Sequence, residues 1–442
     1  MLTKVWYHNK IIMCNSCLMW KGKEKMVSLL ELTLQLSRAS DMVSPELNHH
    51  QRLVAYITNN LGEELNFDEK KLNEVCVAAV LHDIGGLSMQ ERINVLKFEA
   101  INPHQHARIG WLLLKDYREF KNIARIIKFH HVDWNDGEGL RFLGETVMSE
   151  SHLIHLADRI ATLISRDDKM INQKDRIFEK IVSASGRKFN PEFIKAFERL
   201  KEKEFFWYDL ESISNGRRYY KKIKFQDQRL DIDELIGITK LFARVIDFRS
   251  NFTAVHSEGV SAVAKRLAQH LKCDELTCKK IQAAGYIHDI GKLTVSTEIL
   301  EKPAGLTQAE FAVMKEHTYH TYVLLFQIAG FEEINEFASM HHERLDGTGY
   351  PFKKTASELS LGARIMAVAD IFTAVSENRP YRKGMEKEKV IEILKQMVTD
   401  HKIDPHIVEI LISNYQDVNK VRIRAQKKAR IRYNDFAKLL TS

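Results

Sequence analysis

His288-Asp289-Ile290-Gly291-Lys292 repeats, nearly letter for letter, a stretch lying 206 residues earlier, His82-Asp83-Ile84-Gly85-Gly86. The repetition extends outward on both sides. His50 lies 32 residues before His82, and His256 lies 32 before His288. The 206 spacing also pairs Arg38 with Arg244 and Asp41 with Asp247. Downstream, the spacing is 211 for His106 and His317, and for the doublets His130-His131 and His341-His342. It becomes 212 for Asp158 and Asp370, and 214 for Asn190-Pro191 and Asp404-Pro405. Five histidines and two aspartates occurring twice in one order mean two modules of one design. They occupy 27–204 and 233–416. A segment 1–26 precedes them, 205–232 connects them, and a basic tail 417–442 follows.

The chain has 442 residues, 44% of them hydrophobic and 28% charged, a globular composition long enough for two or three domains. Only 7 prolines and 20 glycines leave little punctuation for many short strands. After His256, the residues Val260, Val263, Ala264, Leu267, Ala268 and Leu271 recur at helical spacing. Ile391, Leu394, Met397 and Val398 do the same, as do Ile407, Ile410 and Leu411 after the helix-start pair Asp404-Pro405. No long alternating stretch requires a sheet. The expected class is all-α, with two tandem helical bundles.

Cys14, Cys17, Cys76, Cys273 and Cys278 are too sparse for a disulfide framework, which points to a reducing cytoplasm. Cys14-x-x-Cys17 has the spacing of half a zinc site but no second pair. Lys4, Lys10 and Lys21 interrupt the apolar N-terminal stretch, which is therefore not read as a signal peptide. No run of eighteen apolar residues suggests membrane insertion. The net charge of +7 suits an anionic ligand.

Each module offers five imidazoles and two carboxylates and no thiolate in this set. Such donors suit iron, manganese, cobalt or zinc better than calcium. Neighbours on a helix point about 100° apart, so His288-Asp289 and His341-His342 can serve two adjacent metals, or one metal and the groups that support its ligands. Seven ligands exceed what one structural zinc takes and fit a two-metal site with positions left for water and substrate.

The second module resembles the HD-GYP phosphodiesterases, a branch of the HD metal-dependent phosphohydrolases. The resemblance rests on His288 to Lys292, on the string His341-His342-Glu343-Arg344-Leu345-Asp346-Gly347-Thr348-Gly349-Tyr350-Pro351, on Ala367-Val368-Ala369-Asp370, and on Arg379-Pro380-Tyr381-Arg382. It implies metal ligands at His256, His288, Asp289, His317, His341, His342 and Asp370, and two divalent cations, usually iron or manganese. It also implies cyclic-dinucleotide substrates, cyclic di-GMP or 3′,3′-cyclic GMP-AMP, opened to linear 5′-phosphorylated dinucleotides. His288, Asp289 and Lys292 would then serve catalysis, with Lys292, Arg379 and Arg382 on substrate phosphate. Phe252 stands where some members carry a third-metal glutamate. A homodimer or a signalling-protein partner is the expected assembly.

The first module resembles a plain HD domain. Its candidate ligands are Glu46, His50, His82, Asp83, His106, His130, His131 and Asp158, with His49 and His104 as rivals. Gly86 replaces the lysine, no Gly-Tyr-Pro follows His131, and Asp167 and Met170 stand where Arg379 and Arg382 stand in the second. The expectation is a module without the cationic clamp. It is a scaffold, a metal-dependent regulator, or a hydrolase trimming the 5′-phosphate from the linear product.

Two rival functions keep a sequence basis. A cyclic-dinucleotide receptor would bind without cleaving, but such a protein is free to lose ligands that the second module keeps. An RNA-binding protein would use the aromatics Phe205 to Tyr208, the basic residues Arg217 to Lys224 and the tail from Lys420 to Arg432. A docked connector and a solvated helix explain those segments more simply, so nucleic acid is not the expected ligand.

Overall fold

The computed structural model describes residues 27–42, 49–86, 103–165, 167–215, 229–248, 255–302, 304–378 and 383–441. Cys14, Cys17, Glu46, Phe252, Arg379 and Arg382, with the basic stretch 217–224, lie outside them.

The described residues are almost entirely helical. The first module contains α1 (Leu29–Asp41), α2 (His50–Glu64), α3 (Glu69–Leu81), α4 (Pro103–Leu114), α5 (Lys121–Lys128), α6 (Ser149–Thr162), α7 (Lys174–Val182) and α8 (Pro191–Lys201). A further helix, α9 (Glu204–Ser214), leads out of it. The second module contains α10 (Ile232–Phe248), α11 (His256–His270), α12 (Glu275–Ile287), the short α13 (Thr297–Leu300), α14 (Gln308–Leu325), α15 (Glu332–Ser339), α16 (Leu361–Ser376), α17 (Lys387–Thr399) and α18 (Pro405–Ser413). The last helix is α19 (Tyr415–Thr441). Among the described residues, strands are confined to two antiparallel pairs of two residues each, Val27–Ser28 with Arg229–Leu230 and Arg141–Phe142 with Glu145–Thr146.

Local chemistry sets the helix starts alike in both modules. Asp68 and Asp274 accept from the backbone N–H groups of Lys71 and Thr277 and begin α3 and α12. Asn190 and Asp404 cap α8 and α18, each with proline as the first helical residue. The periodic residues Val260, Val263, Ala264, Leu267 and Ala268 are all fully buried on α11.

The modules exchange helices. Helix α1 packs on α3 of its own module, but also on the turn Ile290–Thr294 and on α14 of the second. Reciprocally, α10 reaches α4 of the first module. Arg244 on α10 donates to the Tyr117 hydroxyl at 3.1 Å, and the Ala329 N–H donates to Glu31 on α1 at 3.2 Å. The buried apolar side chains of both modules consequently run together in one cluster.

The aromatic segment and the tail are parts of these bundles. Helix α9 packs on α2 and α8, with Phe206 and Trp207 fully buried; the Trp207 indole N–H donates to the Lys201 carbonyl at 2.8 Å. Those two rings are therefore closed to nucleotide bases. Helix α19 lies along α11, and its Arg432 pairs with buried Glu258. Trp207→Ala is expected to lower stability by about 3–5 kcal/mol, as large core truncations do. Chemical denaturation of the full chain measures it, and an unchanged midpoint would show the ring is not core.

Candidate metal centres

In the second module, His256 opens α11, His288 and Asp289 end α12, His317 projects from α14, His341 and His342 follow α15, and Asp370 lies within α16. All the imidazoles except that of His342 are nearly or fully buried. They converge as two groups, His256, His288 and Asp370 on one side and His317, His341 and His342 on the other. Asp289 stands between them. Its Oδ2 lies 3.3 Å from His288 Nε2, and its Oδ1 lies 3.5 Å from His317 Nε2 and 4.0 Å from His341 Nε2.

The outward nitrogens are already engaged. Nδ1 of His288, His317 and His341 faces the carbonyls of Gly285, Met314 and Ala338 at 2.9, 2.6 and 2.7 Å. Donation there leaves the Nε2 of His317 and of His341 as lone pairs aimed inward and turns that of His288 toward the same point. Burial brings His317 down to about 3 and pushes His341 well below the usual imidazole range, so both are neutral at physiological pH. Burial opposes ionisation of Asp289, yet His288 and Lys292 hold its carboxyl well below the usual range. Two lone pairs 3.5 Å apart, at His317 and His341, and buried atoms of His288 and Asp289 with no hydrogen-bond partner make a site complementary to cations.

The first module reproduces this arrangement. His50, His82 and Asp158 form one group, and His106, His130 and His131 join Asp83 in the other. Asp83 again divides its oxygens, Oδ2 lying 3.2 Å from His82 Nε2 and Oδ1 lying 3.2 Å from His106 Nε2. Nε2 of His106 lies 3.2 Å from that of His130 and 3.1 Å from that of His131. The rivals fall outside these groups. His49 is the left-handed residue before α2, 3.5 Å from Arg52, while His104 is exposed and stacks on Phe142.

The glycine of each motif is required by a close approach. A Cβ on Gly291 would lie 1.9 Å from the His317 carbonyl oxygen, and one on Gly85 would lie 2.0 Å from that of His106. Only glycine lets the third histidine's helix cross the motif closely enough for its imidazole to reach Asp83 or Asp289.

Residues 48–163 match the HD domain family, and residues 240–407 match an HD domain model as well. The chain is a tandem HD-domain protein. It is 29% identical over 406 residues to the 3′3′-cGAMP-specific phosphodiesterase 1 of Vibrio cholerae, covering 90% of this chain and 94% of that protein. It is 27% identical over 423 residues to phosphodiesterase 3 of the same specificity and organism, covering 83% and 90%. A cyclic di-GMP phosphodiesterase of Pseudomonas aeruginosa is 36% identical over 143 residues, 32% of this chain and 34% of that one. A solved cyclic GMP-AMP-specific phosphodiesterase of Vibrio cholerae matches with a TM-score of 0.61 and 25% identity, over 88% of this chain and 98% of that one.

Beyond the ligand groups, the second HD domain has supports that spacing did not reveal. Glu377, 3% exposed, receives His256 Nδ1 at 3.0 Å, while His256 Nε2 meets Asp370 Oδ1 at 3.0 Å. Gln426 on α19 donates to Glu377 at 2.9 Å, so the C-terminal helix reaches the metal centre's outer layer. Glu343, the residue after the histidine doublet, is buried and accepts from the backbone of Phe352 at 2.6 Å and of Lys354 at 3.1 Å. That anchors the glycine-rich loop and seats the Tyr350 ring 5.0 Å from the His342 ring. Lys292 pairs with Asp289.

The first HD domain corrects one expectation. It does have cations beside its ligands, from positions unrelated to those of the second. A cavity of about 630 Å³ opens onto His131 and is lined by Arg141, Arg159, Arg187 and Lys188. Asp167, at the position that matches Arg379, lines a separate surface cavity of about 400 Å³ with Asp168 and Glu211. The cations of the first domain leave no trace in the repeat because they do not stand where the second domain has Arg379 and Arg382.

Burial disfavours a charged His256, but Glu377 and Asp370 outweigh it and push the imidazole up to about 10. At neutral pH that ring carries a proton which a bound cation displaces. Metal uptake is therefore expected to release a proton and to weaken as pH falls; calorimetry in buffers of different ionisation enthalpy reads this. Glu377→Ala is expected to weaken metal binding about 10–100-fold. Competition with a chelating dye measures it, and unchanged affinity would contradict the support assigned to Glu377.

Proposed function

We propose that the second HD domain opens 3′,5′-cyclic dinucleotides by metal-dependent hydrolysis, giving linear 5′-phosphorylated dinucleotides. The observation that carries this reading is the placement of Asp289, one oxygen toward each of two buried ligand groups. Such a carboxylate suits two divalent cations, with His256, His288 and Asp370 on one and His317, His341 and His342 on the other. Imidazole and carboxylate donors suit iron, manganese, cobalt or zinc, and the HD-GYP resemblance favours iron or manganese among them. Bound there, the cations would activate water and neutralise phosphate charge.

The chain's own residues supply position and field. Lys292 stands beside Asp289, 20% exposed at its side chain, where its ammonium can meet a phosphate oxygen. Arg379 and Arg382 are assigned the same role from their sequence motif. Tyr350, next to His342, narrows the approach to the half-buried edge of the centre. Water adds at phosphorus and the P–O3′ bond breaks, so the phosphate stays on the 5′ side. The two relatives that span nearly the whole chain bear 3′3′-cGAMP-specific names, which supports 3′,3′-cyclic GMP-AMP as the preferred ring.

For the first HD domain, the duplicated ligand geometry supports a second metal centre, and its different walls support a different ligand. The reading that fits is removal of the 5′-phosphate from the linear product. Chromatography of products from several cyclic dinucleotides tests the first step. Asp289→Ala is expected to abolish ring opening and lower bound metal, whereas Arg382→Ala mainly raises KM. A 3′-phosphate or a 2′,3′-cyclic end as first product would refute the mechanism. Asp83→Ala is expected to stop phosphate release from the linear dinucleotide while leaving ring opening intact; equal release by the variant would refute the trimming step.

A further inference from the structure

The cavity beside His131 in the first HD domain is lined by residues that are only partly matched in the second. Spacing from Asp158 and Asp370 places Ala367 at the position of His155 and Ile371 at that of Arg159. Spacing from Asn190 and Asp404 places Lys402 at the position of Lys188, and Lys402 turns to Asp400 at 2.7 Å. The shared helix thus carries different side chains at the ligand's approach, and the lysine of the loop, kept in both domains, is turned to a carboxylate in the second.

Its inner wall is buried and polar. Arg159, 1% exposed, lies on α6 next to Asp158 and donates to it at 2.5 Å. His155, one turn earlier and 4% exposed, packs its ring 5.8 Å from that of His131. Its Nδ1 has no hydrogen-bond partner among the described residues, though the ring lines the cavity. Lys188 is 8% exposed and lines it too. Burying a polar nitrogen without a partner costs about 1–3 kcal/mol, and a bound ligand oxygen relieves that cost.

The loop bringing the cations is held in place. The N–H groups of Trp134, Asn135 and Asp136 donate to the carbonyls of Lys188, Arg187 and Gly186 at 3.0, 2.7 and 2.7 Å. The segment after the His130-His131 doublet is thereby tied to the cation-bearing loop. Gly186 has φ of +73°, and a Cβ there would lie 2.8 Å from Asp136, so the turn is set by a residue without a side chain. Arg187 and Arg141 are exposed and stand further out. The carboxylates lining the cavity, Asp133 and Glu138, are exposed as well, and Glu138 is held by Asn135 at 2.7 Å.

We infer that this cavity is a phosphate-monoester subsite, in which Arg159, Lys188, Arg187 and Arg141 bind a dianionic terminal phosphate against the His131 side of the first metal centre, with His155 as a hydrogen-bonding partner. Four cationic side chains suit a group of charge near −2 better than the single charge of a diester, and guanidinium forks match its free oxygens. The assignment rests on reading the first HD domain as metal-bound, and it deepens the trimming role by naming the groups that would select a terminal phosphate.

The test uses the full-length, metal-loaded chain carrying Asp289→Ala, which removes the second centre's contribution. Inorganic phosphate is titrated calorimetrically at fixed ionic strength, with metal content read on the same samples. Adding Arg187→Gln and Lys188→Gln is expected to weaken phosphate binding about tenfold or more, at unchanged metal content. Because Lys188 is buried, Arg141→Gln with Arg187→Gln, both at exposed positions, forms a second variant, with a several-fold loss expected. Parental affinity in both variants, or no phosphate binding by the metal-loaded parent, overturns the subsite. Phosphate binding that depends on these cations, without phosphate release from a linear 5′-phosphorylated dinucleotide, upholds the subsite and refutes the trimming reaction.

Discussion

A buried carboxylate facing two sets of buried imidazoles is the constraint on which both domains turn. Asp83 and Asp289 each extend one oxygen toward each ligand group. Desolvation strongly penalises such an anion unless positive charge lies close. Lys292 pairs with Asp289, and beside Asp83 burial opposes a charge on His82 but the carboxylate outweighs it and pushes the imidazole up to about 9. The remaining imidazole nitrogens around each carboxylate suit a cation, and the helices meet where they do to bring these groups together. This is why the glycine after each His-Asp pair permits so close an approach of the next histidine's helix.

Much of this was legible in the sequence. The recurrence of seven potential ligands names the residues that the fold brings together in buried groups, and Asn190-Pro191 and Asp404-Pro405 do start helices. The rival pairs His49 and His50, and His104 and His106, were not separable by spacing. Their resolution depends on a left-handed residue before α2 and on which face of α4 points inward, and neither leaves a mark in a one-dimensional pattern. Glu377 and Gln426 were invisible for another reason. Their contact joins α19 to the end of α16 across 49 residues of chain, and such supports carry no periodic signal.

The cations of the first domain show where comparison of repeats misleads. Arg379 and Arg382 follow Asp370 by nine and twelve residues, and the positions that follow Asp158 by the same spacing hold Asp167 and Met170. Looking only there, the first domain reads as stripped. In three dimensions the same approach can be lined from the face of α6 and from the loop after α7, and those are the elements that carry Arg159, Arg187 and Lys188. Repeats of one fold preserve the ligand frame because metal geometry tolerates little movement, whereas the walls around it can change independently.

The exchange of helices gives the tandem arrangement a physical meaning. Helix α1 leaves the first domain to pack on Ile290–Thr294, the turn that carries Lys292, and α10 reaches back to α4, which carries His106. Each ligand frame is therefore braced partly by the other domain. The shared apolar cluster makes separation of the domains expose surface on both sides at once. A linker would keep two independent bundles near one another, but it would not explain why the segment bearing Lys292 is supported by its neighbour's first helix. That contact makes the first HD bundle part of the framework that holds the second domain's His-Asp motif in place.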